Sequence, residues 1–183
     1  MVKEKRRETD TAKTRQKIVA ATDQLISESG LSATSVSAVA RSLGMSHGNV
    51  YRHFASRDDL LVAVAETWMR ETRQASEGSI DKTATPAQNL ESLVMAIRAE
   101  LLRRANNVAA LDLYHYALEK MSDAAHAHHR HRADLVSEIT GDPDRTPQIL
   151  DALRAFTDPT LLLATESPDT RLRVRAVCEL ICK

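Results

Sequence analysis

Between Ser46 and His53 the chain reads Ser-His-Gly-Asn-Val-Tyr-Arg-His, more hydrogen-bonding groups than a small core could satisfy. Ser46, His47, Asn49, Arg52 and His53 offer donors and acceptors, while Val50 and Phe54 are left to face a core. The chemistry open to these types is recognition. An asparagine amide matches the edge of adenine, and an imidazole can donate to a guanine edge or a phosphate. Gly48 carries no side chain, which suits a place where backbone must come close to another surface. Bond-making chemistry has no comparable signal. The sequence holds no Gly-x-Ser-x-Gly, no glycine loop to cradle a phosphate and no His-Glu-x-x-His, so neither an enzyme nor a bound cofactor is expected.

Two short helices must position this segment. Val36, Val39, Ala40 and Leu43 recur at i, i+3, i+4 and i+7, the stripe of a helix that buries one face. Thr34 or Ser35 can cap that helix, Gly44 can supply a positive φ after it, and Ser46 can cap the next. The span Ser35 to Phe54 therefore reads as a helix-turn-helix whose second helix suits a DNA major groove. One such helix reaches only a few base pairs. Two heads related by a two-fold axis, a homodimer on a palindromic site in double-stranded DNA, are the expected arrangement.

Charge is even in total, 25 basic against 25 acidic residues, but uneven along the chain. Residues 1–57 carry 10 basic and 5 acidic side chains, leaving 15 and 20 for the remainder. A basic head on an acidic body fits a polyanion binder with a second task elsewhere. Cys178 and Cys182 form no disulfide framework and read as small buried hydrophobes. No apolar run is long enough for a bilayer and the start lacks a signal-peptide core, so a cytoplasmic protein with no membrane partner is expected.

Helical spacing of apolar residues recurs along the chain without period-2 alternation, which predicts an all-α fold of about nine helices. Residues 1–13 read as a flexible basic tail whose Lys3, Lys5, Arg6 and Arg7 could reach phosphates. Residues 14–56 form the helix-turn-helix domain, opening with a helix over Thr14 to Ser29. Residues 57–183 form a helical body, joined to the head by a fourth helix that Ser56 caps and that runs to about Ala75.

Residues 14–68 resemble the DNA-binding domain of the tetracycline-repressor-like (TetR) family. The matching run is Gly30, Thr34, Ser35, Val39, Ala40, Gly44, Met45, Ser46, Val50, Tyr51, His53, Phe54, Ser56, Arg57 and Leu60. The resemblance implies that Thr34 or Ser35 contacts phosphate and that Ser46, His47, Gly48 and Asn49 face the groove. It implies that Tyr51, His53 and Arg57 hold phosphates beside it. Arg57 stands where the family usually has lysine, which keeps the charge and changes the donor geometry. Ala38 stands where an acidic residue is common, so a local polar contact is lost.

For the body the resemblance implies a ligand-binding and dimerising domain, and for the whole a repressor released from its operator by a small-molecule effector. The expected pocket residues are Trp68, Met95, Leu111, Tyr114, Leu118 and Met121. The last two helices are expected to form the dimer interface, with Leu150, Leu153, Phe156, Val177, Leu180 and Ile181 at its core. The run His126 to His131 opens an alternative, a regulator of the same fold that senses a metal. Imidazole suits zinc, nickel or copper, but His126 and His129 share one face and His128 and His131 another, so no metal site is assigned. A helical metal-binding protein or hydrolase without DNA binding is the reading from a different class.

Overall fold

The computed structural model describes residues 2–105, 112–113, 115–116, 119–120, 122–162 and 167–183. Among the described residues nine helices form and no strand. They are α1 (Val2–Ser29), α2 (Val36–Ser42), α3 (His47–Tyr51), α4 (Arg57–Gly78), α5 (Pro86–Ala105), α6 (Ser122–Thr140), α7 (Thr146–Thr157), α8 (Pro159–Leu162) and α9 (Thr170–Ile181). The all-α class read from the periodicity is the class the chain adopts. Compactness divides the chain inside α4, where the sequence reading drew the boundary at residue 56. Residues 1–67 with the described part of 107–120 form one unit, and residues 68–106 with the described part of 121–183 form the other.

In the first unit α1 reaches back to Val2, through the stretch read as a flexible tail. Lysine, arginine, glutamate and alanine are good helix formers, and lengthening an existing helix costs far less than nucleating a new one. Ile18 and Ile26 of α1, Val36, Val39 and Ala40 of α2, Val50 of α3, and Leu60, Leu61 and Val64 of α4 are buried in the unit. Phe54 is buried beside them, with the Arg15 guanidinium 4.6 Å from its ring centroid. Gly30 ends α1 at φ +83°, and its N–H donates to the Ile26 carbonyl at 3.0 Å. A side chain at that φ would collide with its own backbone, which is why glycine stands there.

In the second unit α5 is central and packs on α6, α7, α8 and α9. Its Leu90, Leu93, Val94 and Ile97 meet Val136, Ile149, Leu153, Phe156, Val174 and Cys178. A reciprocal cap starts α5: the Thr85 N–H donates to Gln88 Oε1 at 2.9 Å, and the Gln88 N–H donates to Thr85 Oγ1 at 3.3 Å. Glu91, buried one turn later, accepts from Arg171 Nε at 2.7 Å and from Arg175 Nε at 2.8 Å. The Arg175 hydrogen bond, helped by Arg171 and opposed by burial, holds the Glu91 carboxyl below its usual range. A buried carboxylate with both oxygens occupied fixes the register of α9 on α5. α7 stops at Thr157 because Asp158 precedes Pro159 and takes extended backbone, ψ 121°. Both cysteines are free. Cys178 is buried, and burial pushes its thiol up to about 12, while Cys182 one turn on is exposed. Among the described residues no helix is long and apolar enough to cross a membrane.

Candidate nucleic-acid interface

The helix-turn-helix is built by two serine caps and one glycine. Ser35 takes extended backbone and its Oγ accepts the Ala38 N–H at 3.1 Å. Ser46 does the same for α3, accepting the Asn49 N–H at 3.3 Å. Between them Gly44 turns the chain at φ +62°, and the Met45 N–H donates to the Ala40 carbonyl at 2.9 Å. α3 is then held from below by Val50 alone, with Phe54 anchoring the residues that follow.

Most of the rest of α3 faces outward. Ser46, His47, Gly48 and Arg52 are exposed, Tyr51 is 53% exposed, and Asn49 and His53 are half-buried. An ideal Cβ built on Gly48 would meet nothing within 4 Å, and its φ lies outside the left-handed region. The fold itself therefore makes no demand for glycine at this position.

Two of the expected phosphate contacts are engaged inside the head. Thr34 is buried, and its hydroxyl donates to the Gly30 carbonyl at 2.9 Å, closing the turn after α1. Arg57 Nε donates to the Thr34 carbonyl at 2.7 Å and its Nη2 to the Leu31 carbonyl. The guanidinium thus ties the start of α4 to the link between α1 and α2. Sequence reasoning had no signal for this tie, because the acceptors are backbone atoms 23 and 26 residues away. Arg57→Met should cost the head about 2–3 kcal/mol, since it removes two hydrogen bonds from a charged donor. Chemical denaturation would measure the loss, and Arg57→Lys should return part of it.

The residues expected to line an effector pocket are only partly described. Leu111, Tyr114, Leu118 and Met121 lie outside the described residues. Trp68 is half-buried with the Arg104 guanidinium 5.3 Å from its ring centroid. Arg104 also pairs with Glu71, and with Glu100 at 2.9 Å. Met95 is half-buried and packs against the α5 core. Tyr116 belongs with the first unit, where burial and then the Asp58 carboxylate push its phenol up to about 12.

Of the expected interface residues, Leu153 and Phe156 are buried in the core of their own unit. Leu150, Val177 and Ile181 pack partly buried against that core. Leu180 is 70% exposed. Leu172, which was not among the expected interface residues, is 61% exposed and stands in line with Ala176 and Leu180 along α9. Their spacing of four was the available signal.

The histidine run lies on α6. His126 is exposed, while His128, His129 and His131 are half-buried. His131 Nε2 is 3.1 Å from Glu77 Oε1 of α4, His129 Nδ1 is 3.3 Å from Arg132 Nη2, and the rings of His128 and His129 meet edge-on at 6.0 Å. Among the described residues no three His, Cys, Asp or Glu side chains gather closely enough to hold a metal ion. Burial, then the charges of Arg132, His129, Arg73 and His131, push the His128 pKa down to about 4. The unfolded chain, with an ordinary histidine near 6.5, binds a proton there first as the pH falls. The associated stability is complete above pH 6.5 and is lost progressively toward pH 4. Between pH 7 and pH 5 the loss should be about 2 kcal/mol. Urea denaturation at the two pH values checks this, and His128→Asn should flatten the difference.

Comparison with known proteins bears on the head first. Residues 18–64 match the family model described as Bacterial regulatory proteins, tetR family. That span runs from the core of α1 through α2 and α3 into α4. The HTH-type transcriptional regulator UidR of Escherichia coli strain K12 is 28% identical over 135 residues, 64% of this chain and 69% of that protein. The Fatty acid metabolism regulator protein of Bacillus subtilis strain 168 is 28% identical over 92 residues, 50% of this chain. The match spans about half of that relative, 47% of its length. Among solved structures, a protein of unknown function from Rhodococcus sp. RHA1 superposes with a TM-score of 0.73 at 21% identity, covering 92% of this chain and 93% of that one. At that identity the likeness speaks for the fold.

Proposed function

We propose that the chain, whose residues 18–64 match the tetR family of bacterial regulatory proteins, is a DNA-binding transcriptional repressor released by a small-molecule effector. The observation that carries the reading is α3. It is a five-residue helix with one buried side chain, and it turns His47, Gly48, Asn49 and Tyr51 outward. A helix so thinly anchored contributes little to a core and much to a groove. Asn49 and His47 read base edges, while Ser35, Tyr51, Arg52 and His53 hold phosphates. Gly48 lets the α3 backbone approach the duplex.

A second copy of the chain supplies the other head. The exposed row Leu172, Ala176 and Leu180 on α9 provides an apolar face for a self-complementary contact. The two recognition helices then meet half-sites one turn of DNA apart, roughly 34–36 Å. An effector held in the second unit favours a form of the dimer that no longer fits both half-sites. A coupling of about 1–3 kcal/mol loosens the operator 5- to 150-fold. Work on chromosomal DNA places such a regulator in the cytoplasm.

A mobility-shift series with the DNA upstream of its own gene tests the proposal. The affinity should fall steeply with salt, as counterions are released from several phosphates. Tyr51→Ala should weaken binding about equally on every sequence, whereas Asn49→Ala should narrow the gap between operator and random DNA by about 1–3 kcal/mol. Binding that is indifferent to salt, or unaltered by both substitutions, overturns it.

A further inference from the structure

The second unit gathers arginine and histidine side chains from α4 and α6, some of whose buried nitrogens have no hydrogen-bond partner. Glu77 of α4 and His131 of α6 face each other at 3.1 Å. About one turn back along each helix stand Arg73 and His128. Arg73 Nε and His128 Nδ1 are both shielded from solvent and have no hydrogen-bond partner. His131 Nε2, although 3.1 Å from Glu77, makes no hydrogen bond to it. Arg132 reaches toward the same group of rings, 3.3 Å from His129 Nδ1. Two arginines and the imidazoles therefore come together, and among them the Arg73 Nε–H is buried without an acceptor.

Buried polar nitrogens without partners are rare in native folds, and a buried guanidinium N–H without an acceptor, beside a second arginine, asks for an anion. We infer that Arg73 and His128, with Arg132 behind them, hold the anionic headgroup of the effector, a carboxylate or a phosphate. This rests on the reading that the second unit takes a small molecule, and it names the chemical class of that molecule. A guanidinium supplies a planar N–H edge matched to an oxyanion, and a neutral imidazole still donates one N–H. The bound anion would give the orphaned nitrogens a partner and offset the like charges of Arg73 and Arg132. A neutral molecule of the same shape would do neither.

Calorimetric titration of the full chain without DNA tests this with three small probes. They are benzoate, phenyl phosphate and benzamide, the last being the uncharged counterpart of benzoate. At least one of the two anions should bind ten or more times tighter than benzamide, and which one does so identifies carboxylate or phosphate. Arg73→Met should weaken that anion at least tenfold, and His128→Leu should weaken it as well. Melting of the unliganded variants provides a second readout. With the repulsion removed, Arg73→Met should melt at or above the unsubstituted chain, whereas an arginine kept for structure would lower the melt when lost. Equal binding of benzamide, retention of anion binding in Arg73→Met, or a lower melt for that variant would each overturn the assignment. Since no DNA is present, such a failure leaves the reading of the head untouched, and a failed mobility shift leaves this titration untouched.

Discussion

Replacing Leu172 and Leu180 together by glutamate should leave the chain monomeric and weaken its hold on a two-half-site operator by at least about 100-fold. Val174 and Cys178 face the core, while Leu172 and Leu180, 61% and 70% exposed, face away from it. Covering a leucine side chain contributes about 1.5–3 kcal/mol, and a two-fold contact uses both leucines of each copy. Glutamate there would have to be desolvated against its own mate. The fold of each copy should be spared, because Glu91 still holds Arg171 and Arg175 and the inner side of α9 is unchanged. Sedimentation would report the monomer, circular dichroism the retained helices, and mobility shift the lost affinity. One head alone loses the gain that comes from tethering two. A double variant that stays dimeric would show that the contact lies elsewhere.

The second large effect is expected at Gly48. Gly48→Ala should weaken DNA binding about 10- to 100-fold, because a methyl group would stand where backbone and duplex must meet closely. The same substitution should leave the melting temperature level or raise it, since alanine is the better helix former by up to about 1 kcal/mol. The two readouts move in opposite directions because the added carbon has open space inside the chain. A glycine required by the fold would show the reverse, a lower melt with binding reduced only in proportion. Filter binding together with differential scanning calorimetry on one preparation separates the cases.

Much of the head was legible because local rules decide it. Ser35 and Ser46 sit where hydroxyls cap helices, and Gly44 where a turn needs a positive φ. Period and caps give helices reliably when each lies in its own few residues. Arg57 escaped that reading. A cation at a helix start suits a phosphate and a carbonyl equally well, and only three-dimensional placement brings Leu31 and Thr34 to it. Leu153 and Phe156 escaped it for a related reason, since helical periodicity marks an apolar face without saying whether the chain or its partner covers it. The same limit hid Leu172, whose neighbours in sequence are arginines. Residues 2–13 read as a tail because charge without apolar period suggests disorder, and in the structure they continue α1, since those residue types prolong a helix that is already formed. Arg73 drew no notice, since an unpartnered side-chain nitrogen is legible only in three dimensions.

The contrast between the two sulfurs of α9 has a practical use. With Cys178 sealed in the interior and its proton held tightly, a maleimide in mildly alkaline buffer will tag Cys182 alone. In the dimer proposed above, a nitroxide or a fluorophore carried there by each copy would be a ruler across the symmetry axis, with no residue altered. Pulsed spectroscopy on such a sample would read the separation of the paired molecules directly, with and without operator and with and without an added anion.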